Sequence, residues 1–188
     1  MDTIVYFIRH AEPDFQVKED ALRPLTAEGE VKAKQLVNRF KEITVDQVVS
    51  SPYKRAYDTV KPMADSKGLE IEILDDFRER KVSDKPWIED FTSFAQNQWQ
   101  DFNFKLEGGE SLQEVQHRNI KTLEKVLAAY KGKCIVVGTH GTALSTIIYF
   151  YEKSFGYESF NSIKKIMPWV VKFTFSIKDK PTISYDLS

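Results

Sequence analysis

Arg9 and His10 are the first residues of the chain whose types and position could support catalysis. They follow the apolar run 4–8, which is typical of a strand buried on both faces of a sheet. Ligands bind at the carboxyl ends of such strands in an open α/β sheet, so both side chains would lie at the rim of a crevice. A neutral imidazole there could attack phosphorus and carry a covalent phosphoryl group, provided that cations neutralise the phosphoryl oxygens. A strand-end histidine without such cations is more often structural.

A second segment supplies a candidate cation. Ser51 and Pro52 follow a short apolar pair and indicate a helix start, because serine caps free amides and proline is tolerated in the first turn. Arg55 then falls in the first turn, where its guanidinium and the free amides could bind phosphate oxygens together. The alternative is a solvated arginine on a helix surface.

A third segment places His140 at the end of another apolar run, 134–137. Gly138 and Gly141 flank it and would let the backbone approach a ligand closely. His140 is therefore a candidate second phosphate ligand. The alternative is an ordinary turn between a strand and a helix.

In this order, the segments resemble the histidine phosphatase superfamily, in its phosphoglycerate mutase-like branch. The resemblance runs from about residue 4 to about residue 145 and is carried by Arg9-His10-Ala11-Glu12, Leu25-Thr26-Ala27-Glu28-Gly29, Ser51-Pro52 with Arg55-Ala56 and Thr59, Gly108-Gly109-Glu110-Ser111, and Thr139-His140-Gly141. It implies a phosphohistidine enzyme with His10 as the nucleophile and with Arg9, Arg55 and His140 as the phosphate pocket. It also implies a carboxylic acid that protonates the leaving group.

The acid is expected after the third predicted strand. Residues 70–74 alternate polar and apolar types, which is typical of a half-buried strand ending at the same rim. We choose Glu79 because Glu79-Arg80 resembles the proton-donor segment of the mutase branch, and the same analogy makes Arg80 a candidate substrate ligand. The alternative acids are Asp75, Asp76 and Glu28, and Glu79 would then be a surface ion-pair partner.

The chain also departs from the branch at four positions. Lys81 and Ser83 stand where the resemblance leads us to expect histidine and glycine, and Ala11 and Pro13 stand where glycine and a small hydroxyl residue are usual. The substrate contacts of the mutases are therefore weak guides to this chain.

The order of the predicted elements favours an α/β fold of three layers, with a mostly parallel central sheet flanked by helices. Strands are predicted at 3–8, 46–50, 70–74, 133–138, 169–175 and 182–187, the last two as a hairpin, and helices at 27–41, 52–66, 87–102, 112–131 and 142–153. Thr26 is a predicted cap, Ser111 opens a capping box, and Pro62 predicts a kink or a break.

We expect a single domain over residues 1–188, with a helical cap inserted at about 81–107. Aromatic residues follow one face of that insertion, mostly at helical spacing: Trp87, Phe91, Phe94, Trp99 and Phe102. The stripe either packs on the core or covers the leaving-group site and excludes water. The charges of the segment nearly cancel, which gives no support for a polyphosphate substrate.

Composition narrows the function classes. A formal net charge of -1 argues against binding nucleic acid or a membrane surface through bulk electrostatics, and no apolar run approaches the ~20 residues of a membrane span. Cys134 has no second cysteine with which to form an intrachain disulfide, which fits the cytoplasm. We expect no cofactor and no metal. His117 lies away from the motifs and is expected to be structural or exposed, and the oligomeric state stays open, with a homodimer among the alternatives.

The sequence thus predicts a metal-independent phosphomonoesterase that acts on a small phosphorylated metabolite through a phosphohistidine. A phosphoglycerate mutase is the alternative, although mutases of this family are expected to be longer, with a C-terminal tail over the pocket. A catalytically inactive module that binds phosphorylated ligands is a third reading.

Overall fold

The computed structural model describes residues 1–85, 88–176 and 180–186. Its sheet has six strands, β1 (Thr3–Arg9), β2 (Gln47–Ser50), β3 (Ile71–Ile73), β4 (Cys134–Thr139), β5 (Trp169–Phe175) and β6 (Thr182–Asp186). The strands lie in the order β3-β2-β4-β1-β5-β6. The first four strands in this order pair in parallel, whereas β5 pairs antiparallel with both of its neighbours, β1 and β6. The mostly parallel sheet predicted from the sequence is confirmed.

Six α-helices accompany the sheet within the described residues: α1 (Ala27–Arg39), α2 (Lys54–Ser66), α3 (Phe91–Gln100), α4 (Leu112–Ala129), α5 (Gly141–Tyr151) and α6 (Tyr157–Ser162). Short 3-10 turns follow β3 at Asp75–Phe77 and α6 at Ile163–Lys165. The predicted cap at Thr26 and the capping box of Ser111 with Glu114 are both present.

Two apolar clusters lie on opposite faces of the sheet, because neighbouring strand residues point to opposite sides. Val48 belongs to the cluster that contains Leu36 of α1 and Met63 of α2. Its neighbour Val49 belongs to the other cluster, which contains Leu123 of α4, Leu144 of α5 and Phe160 of α6. The three layers expected from the sequence, helices on both faces of one sheet, are therefore confirmed.

Two predicted helices start later in the chain than expected. The helix predicted at 87–102 spans only Phe91–Gln100, since Asp90 caps it by accepting a hydrogen bond from the Ser93 amide at 2.9 Å. Trp87 lies outside the described residues. The helix predicted to start at 52 starts at Lys54, with Tyr53 in extended conformation before it.

The break allowed for at Pro62 does not occur, because α2 runs without interruption from Lys54 to Ser66. The proline removes one backbone hydrogen bond. Burial of Val60, Met63 and Ala64 on the same helix offsets that loss.

The sequence analysis missed α6. Its helical stretch has six residues, which is too short to show a clear apolar period. Phe160 and the following Ile163 anchor it in the core.

Parallel pairing brings the chemically interesting strand ends to one edge of the sheet. Arg9 at the end of β1 is in register with Thr139 at the end of β4, and Gly138 is in register with Ser50 at the end of β2. The residues that follow these strands, including His10, Ser51 and His140, therefore emerge side by side.

No helix in the described part of the chain is long and apolar enough to cross a bilayer.

Candidate active site

His10 and His140 meet at the rim that parallel pairing creates. The His10 amide donates to the Thr139 carbonyl at 3.0 Å, and the two imidazole centroids lie 5.3 Å apart. Both residues are buried, His10 at 6% exposure and His140 at 0%. Because the Ala11 carbonyl can only accept, the 2.8 Å contact from His10 Nδ1 places the proton on Nδ1. That tautomer leaves the Nε2 lone pair of His10 free to act as a nucleophile.

His140 is not merely part of a turn. It precedes the first residue of α5, and its Nε2 lies 2.7 Å from the Ser51 hydroxyl. Its Nδ1 is buried and has no hydrogen-bond partner among the described residues. Such an atom is suited to a ligand group, because an unpaired buried polar atom costs free energy.

Arg55 is buried, so it is not a solvated helix residue. It lies in the first turn of α2, and Thr59 one turn later donates to its carbonyl at 2.7 Å. The same hydroxyl accepts from the Ala11 amide at 2.9 Å and so ties α2 to the segment after His10. Arg55 is thereby fixed beside the imidazoles.

Arg9 contributes a second guanidinium, which is half-buried. Its Nη1 donates to the carbonyls of Ile163, Lys164 and Ile166 at 2.7, 3.2 and 3.3 Å, where the chain leaves α6. A Cβ at position 141 would lie 3.1 Å from Arg9 Nε, so Gly141 makes room for the guanidinium. The Nε atom of Arg9 is buried, and no described residue forms a hydrogen bond with it.

Burial and positive charge control the protonation of the site. Burial first, and then the charges of Arg55, Arg9 and Arg23, hold the pKa of His10 well below its ordinary 6.5. The pKa of His140 is lowered in the same direction, by burial first and then by Arg55. Burial lowers the pKa of Arg9 only to about 10, so this residue stays cationic at neutral pH. The site therefore combines neutral imidazoles with charged guanidiniums.

The Glu79 carboxylate lies at the start of α5, the helix that His140 precedes. It accepts from the amides of Thr142 and Ala143 at 3.1 and 3.2 Å, and from the Arg80 amide at 2.8 Å. Its negative charge also raises the pKa of Arg9, which reflects its proximity to the phosphate-binding candidates. Of the sequence candidates for the acid, Glu79 is thus the one that contacts the start of the helix following His140.

The alternative acids have other partners. Asp75 pairs with Arg78 at 3.0 Å, Asp76 contacts Arg78 and accepts from the Thr122 hydroxyl, and Glu28 pairs with Lys32 at 2.8 Å on the exposed face of α1.

Arg80 points away from the imidazoles and towards α3. Its Nη1 donates to the Gln98 side chain, and its guanidinium carbon lies 5.5 and 4.9 Å from the ring centroids of Phe91 and Phe94. Burial lowers the pKa of Arg80 to about 10. Its Nε is buried and has no hydrogen-bond partner in the described part of the chain. Its role as a substrate ligand stays a prediction.

Sequence reasoning missed Asp20 and Arg23, which lie on the segment between β1 and α1. The Asp20 carbonyl accepts from Arg55 Nη1 at 2.5 Å, and its carboxylate accepts from Arg23 Nη1 at 2.8 Å. Arg23 also lies over the Phe15 ring, with its guanidinium carbon 5.2 Å from the centroid. Arg55 and Asp20 lie 35 residues apart, and the contacts of Arg23 lie within an irregular segment, so neither has a spacing signal in the sequence.

His117 is exposed on α4, as one of the two predicted alternatives requires. In the described parts of the chain, no three His, Cys, Asp or Glu side chains are grouped in a way that could hold a metal ion.

Comparison with known proteins agrees with this geometry. The model of the family "Histidine phosphatase superfamily (branch 1)" matches residues 5–164. "Uncharacterized phosphatase PhoE" of Bacillus subtilis is 29% identical over 153 residues, which cover 78% of this chain and 76% of the relative. "Probable phosphoglycerate mutase GpmB" of Shigella dysenteriae is 31% identical over 156 residues, which cover 77% and 72%.

Solved structures show the same fold. Bacillus stearothermophilus YhfR superposes with a TM-score of 0.80 at 19% identity, over 99% of this chain and 98% of that one. A phosphoserine phosphatase mutant from Entamoeba histolytica gives 0.79 at 19% identity, over 98% and 97%. With the family match over most of the chain, this protein is an enzyme that belongs to the histidine phosphatase superfamily, branch 1, and its relatives include phosphatases and phosphoglycerate mutase-like proteins.

Proposed function

We propose that this enzyme is a metal-independent phosphomonoesterase that moves the phosphoryl group of a small metabolite to His10 and then to water. The observation that carries the proposal is the 2.8 Å contact between His10 Nδ1 and the Ala11 carbonyl. This contact assigns the proton to Nδ1 and leaves the lone pair on Nε2. The positive charges of Arg55, which is buried, and of Arg9, which is half-buried, act on this neutral nucleophile. Their charge would neutralise the transferring phosphoryl oxygens.

In the first half-reaction, Arg9, Arg55 and His140 bind the phosphate group. His10 Nε2 forms a bond to phosphorus while the bond between phosphorus and the leaving oxygen breaks, and Glu79 gives its proton to that oxygen. In the second half-reaction, the water oxygen forms a bond to phosphorus while the bond between phosphorus and His10 Nε2 breaks, and the water gives a proton to the Glu79 carboxylate. Inorganic phosphate then leaves, and the enzyme returns to its initial state.

The substrate class is supported by the names of the structural relatives. They include a phosphoserine phosphatase and a mycobacterial glucosyl-3-phosphoglycerate phosphatase. Both names denote phosphatases of small phosphate monoesters. We extend that class, and no particular metabolite, to this chain.

Phosphoglycerate mutase is the second candidate, because relatives with that name are about as similar as the phosphatase. Hydrolysis is favoured by the surroundings of Arg80, the residue that resembles a mutase substrate ligand. Here Gln98, Phe91 and Phe94 contact its guanidinium. An assay for interconversion of phosphoglycerates discriminates between the two activities.

We also propose that α3 caps the leaving-group side of the pocket. Phe94, Ala95 and Gln98 are buried on one face of α3, which agrees with packing on the core. Phe91 is 41% exposed and lies over Arg80, the neighbour of Glu79 in the chain. The helix thus contributes to the core and still offers a partly exposed aromatic ring beside the Arg80 guanidinium. The free thiol of Cys134 supports the proposal of a cytoplasmic location.

The first prediction concerns the nucleophile. His10→Ala should lower turnover by about 10³-fold or more and abolish a phosphoenzyme that is labile in acid and stable in base. Phosphate release in the presence of EDTA and phosphoenzyme trapping measure both effects. His117→Ala on the exposed face of α4 is the control. A folded His10→Ala protein with wild-type turnover would contradict the proposal.

The second prediction concerns pH. A lowered pKa means that His10 keeps its nucleophilic lone pair to more acidic pH, so its protonation should reduce kcat/KM only well below pH 6.5. Profiles of kcat/KM for two substrates with different phosphate pKa values separate enzyme from substrate titration. An acid limb at 6.5 or above that is common to both substrates would show that His10 is not held neutral.

The third prediction concerns Glu79. Glu79→Gln keeps the size and loses the acid, so turnover of alkyl phosphates should fall by roughly 10²–10⁴-fold. p-Nitrophenyl phosphate should lose much less, because its leaving group needs little protonation. Glu30→Gln on exposed α1 is the matched control. An equal loss on both substrates would remove Glu79 as the acid.

The fourth prediction concerns Asp20, whose carboxylate lies 3.2 Å from Arg55 Nη1 and opposes a bound anion. Asp20→Asn keeps the backbone carbonyl that holds Arg55 and removes the negative charge. Inorganic phosphate should therefore inhibit about two- to fivefold more tightly, as expected for a partly exposed charge pair. Asp65→Asn, from an exposed pair on α2, is the control for net charge. Weaker inhibition would mean that the carboxylate mainly positions Arg55.

A further inference from the structure

Arg118 on α4 is buried and uses all of its guanidinium donors within the protein. Nε and Nη2 donate to the two oxygens of Glu110 at 2.8 and 3.0 Å. Nη1 donates to the carbonyls of Asp76 and Arg78 at 2.6 and 2.9 Å, and Nη2 also donates to the carbonyl of Glu79 at 3.2 Å. The guanidinium thus donates to one carboxylate and to three backbone carbonyls of the segment that carries Glu79.

These contacts replace secondary structure. Between the 3-10 turn Asp75–Phe77 and α3, the described residues 78–85 and 88–90 form no helix or strand, so their carbonyls need partners from elsewhere. Arg118 supplies them from one rigid side chain. Glu110 also binds this segment, because its carboxylate accepts from the Lys81 amide at 2.9 Å and from Arg78 Nη2 at 3.2 Å.

Glu79 is consequently held from two sides. Arg118 fixes its backbone on α4, while the amides of Thr142 and Ala143 at the start of α5 fix its carboxylate. The two helices are connected, since the Gln116 side chain donates to the Thr146 carbonyl at 2.8 Å. A change at Arg118 would therefore move the Glu79 backbone relative to the amides that orient its carboxylate.

We propose that Arg118, with Glu110 as its counterion, is a positioning residue that places the Glu79 carboxyl against the leaving oxygen. This inference rests on the proposed role of Glu79 as the acid. The guanidinium of Arg118 donates its hydrogen bonds to Glu110 and to backbone carbonyls, one of which is that of Glu79. Arg118 therefore orients the acid through the Glu79 backbone. A misplacement of about 1 Å can cost on the order of 10²-fold in rate, which sets the scale of the expected effect.

Arg118→Lys tests the proposal, because lysine keeps the charge but cannot reproduce the planar fork. We expect turnover of alkyl phosphates to fall by about 10- to 100-fold, with a much smaller loss on p-nitrophenyl phosphate. In the Glu79→Gln background, the same change should have little further effect on alkyl phosphates. Lys121→Gln, on the exposed side of α4, is the control.

Glu110→Gln is the second arm, in a variant with almost unchanged volume. It should show the same dependence on the leaving group, and thermal melting verifies that each variant is folded at the assay temperature. A uniform loss on both substrates, or a full additional loss in the Glu79→Gln background, would reduce Arg118 to a structural role while leaving Glu79 as the acid. A uniform loss in Glu79→Gln itself would overturn both assignments, and phosphoenzyme formation on His10 would still report on the nucleophile separately.

Discussion

The site depends on positive charge that is buried around uncharged imidazoles. Arg9 and Arg55 would bind phosphate in the proposed reaction, and the same charges help to hold the pKa of His10 well below its ordinary value. Burial contributes the largest part of that shift, because it disfavours every charged form. In the proposed reaction, the two guanidiniums that attract the phosphate dianion therefore also preserve the His10 lone pair that attacks phosphorus. Neither effect requires a separate residue.

Irregular parts of the fold supply hydrogen-bond acceptors to both guanidiniums of the site. The turn that follows α6 offers three carbonyls to Arg9, and the segment between β1 and α1 offers the Asp20 carbonyl to Arg55. Carbonyl oxygens provide such partners without adding a negative charge to the pocket. Asp20 does add one, but its side chain is 46% exposed, so solvent weakens its opposition to a bound anion. The segments outside regular structure thus contribute to the electrostatics of the site.

The sequence was sufficient where structure follows from local pattern. Apolar runs predict the buried strands, and parallel pairing then brings His10 and His140 to one rim, as observed. It was insufficient where a side chain finds a partner far along the chain. The acceptor that fixes the His10 tautomer is a backbone carbonyl, and the partner of Arg55 lies 35 residues away, so neither has a spacing signal. Arg80 illustrates the same limit, since the direction of its side chain is decided by packing against α3.

The position of Glu79 connects the fold to the proposed reaction. The amides at the start of α5 stabilise a carboxylate, because they lie at the positive end of the helix. In the proposed first half-reaction, the side chain held there gives its proton to the leaving oxygen, and in the second it accepts a proton from water. Both steps use the same orientation, because the amides of α5 hold the carboxyl group and Arg118 holds the Glu79 backbone. One fixed side chain can therefore serve both half-reactions without a movement of the protein.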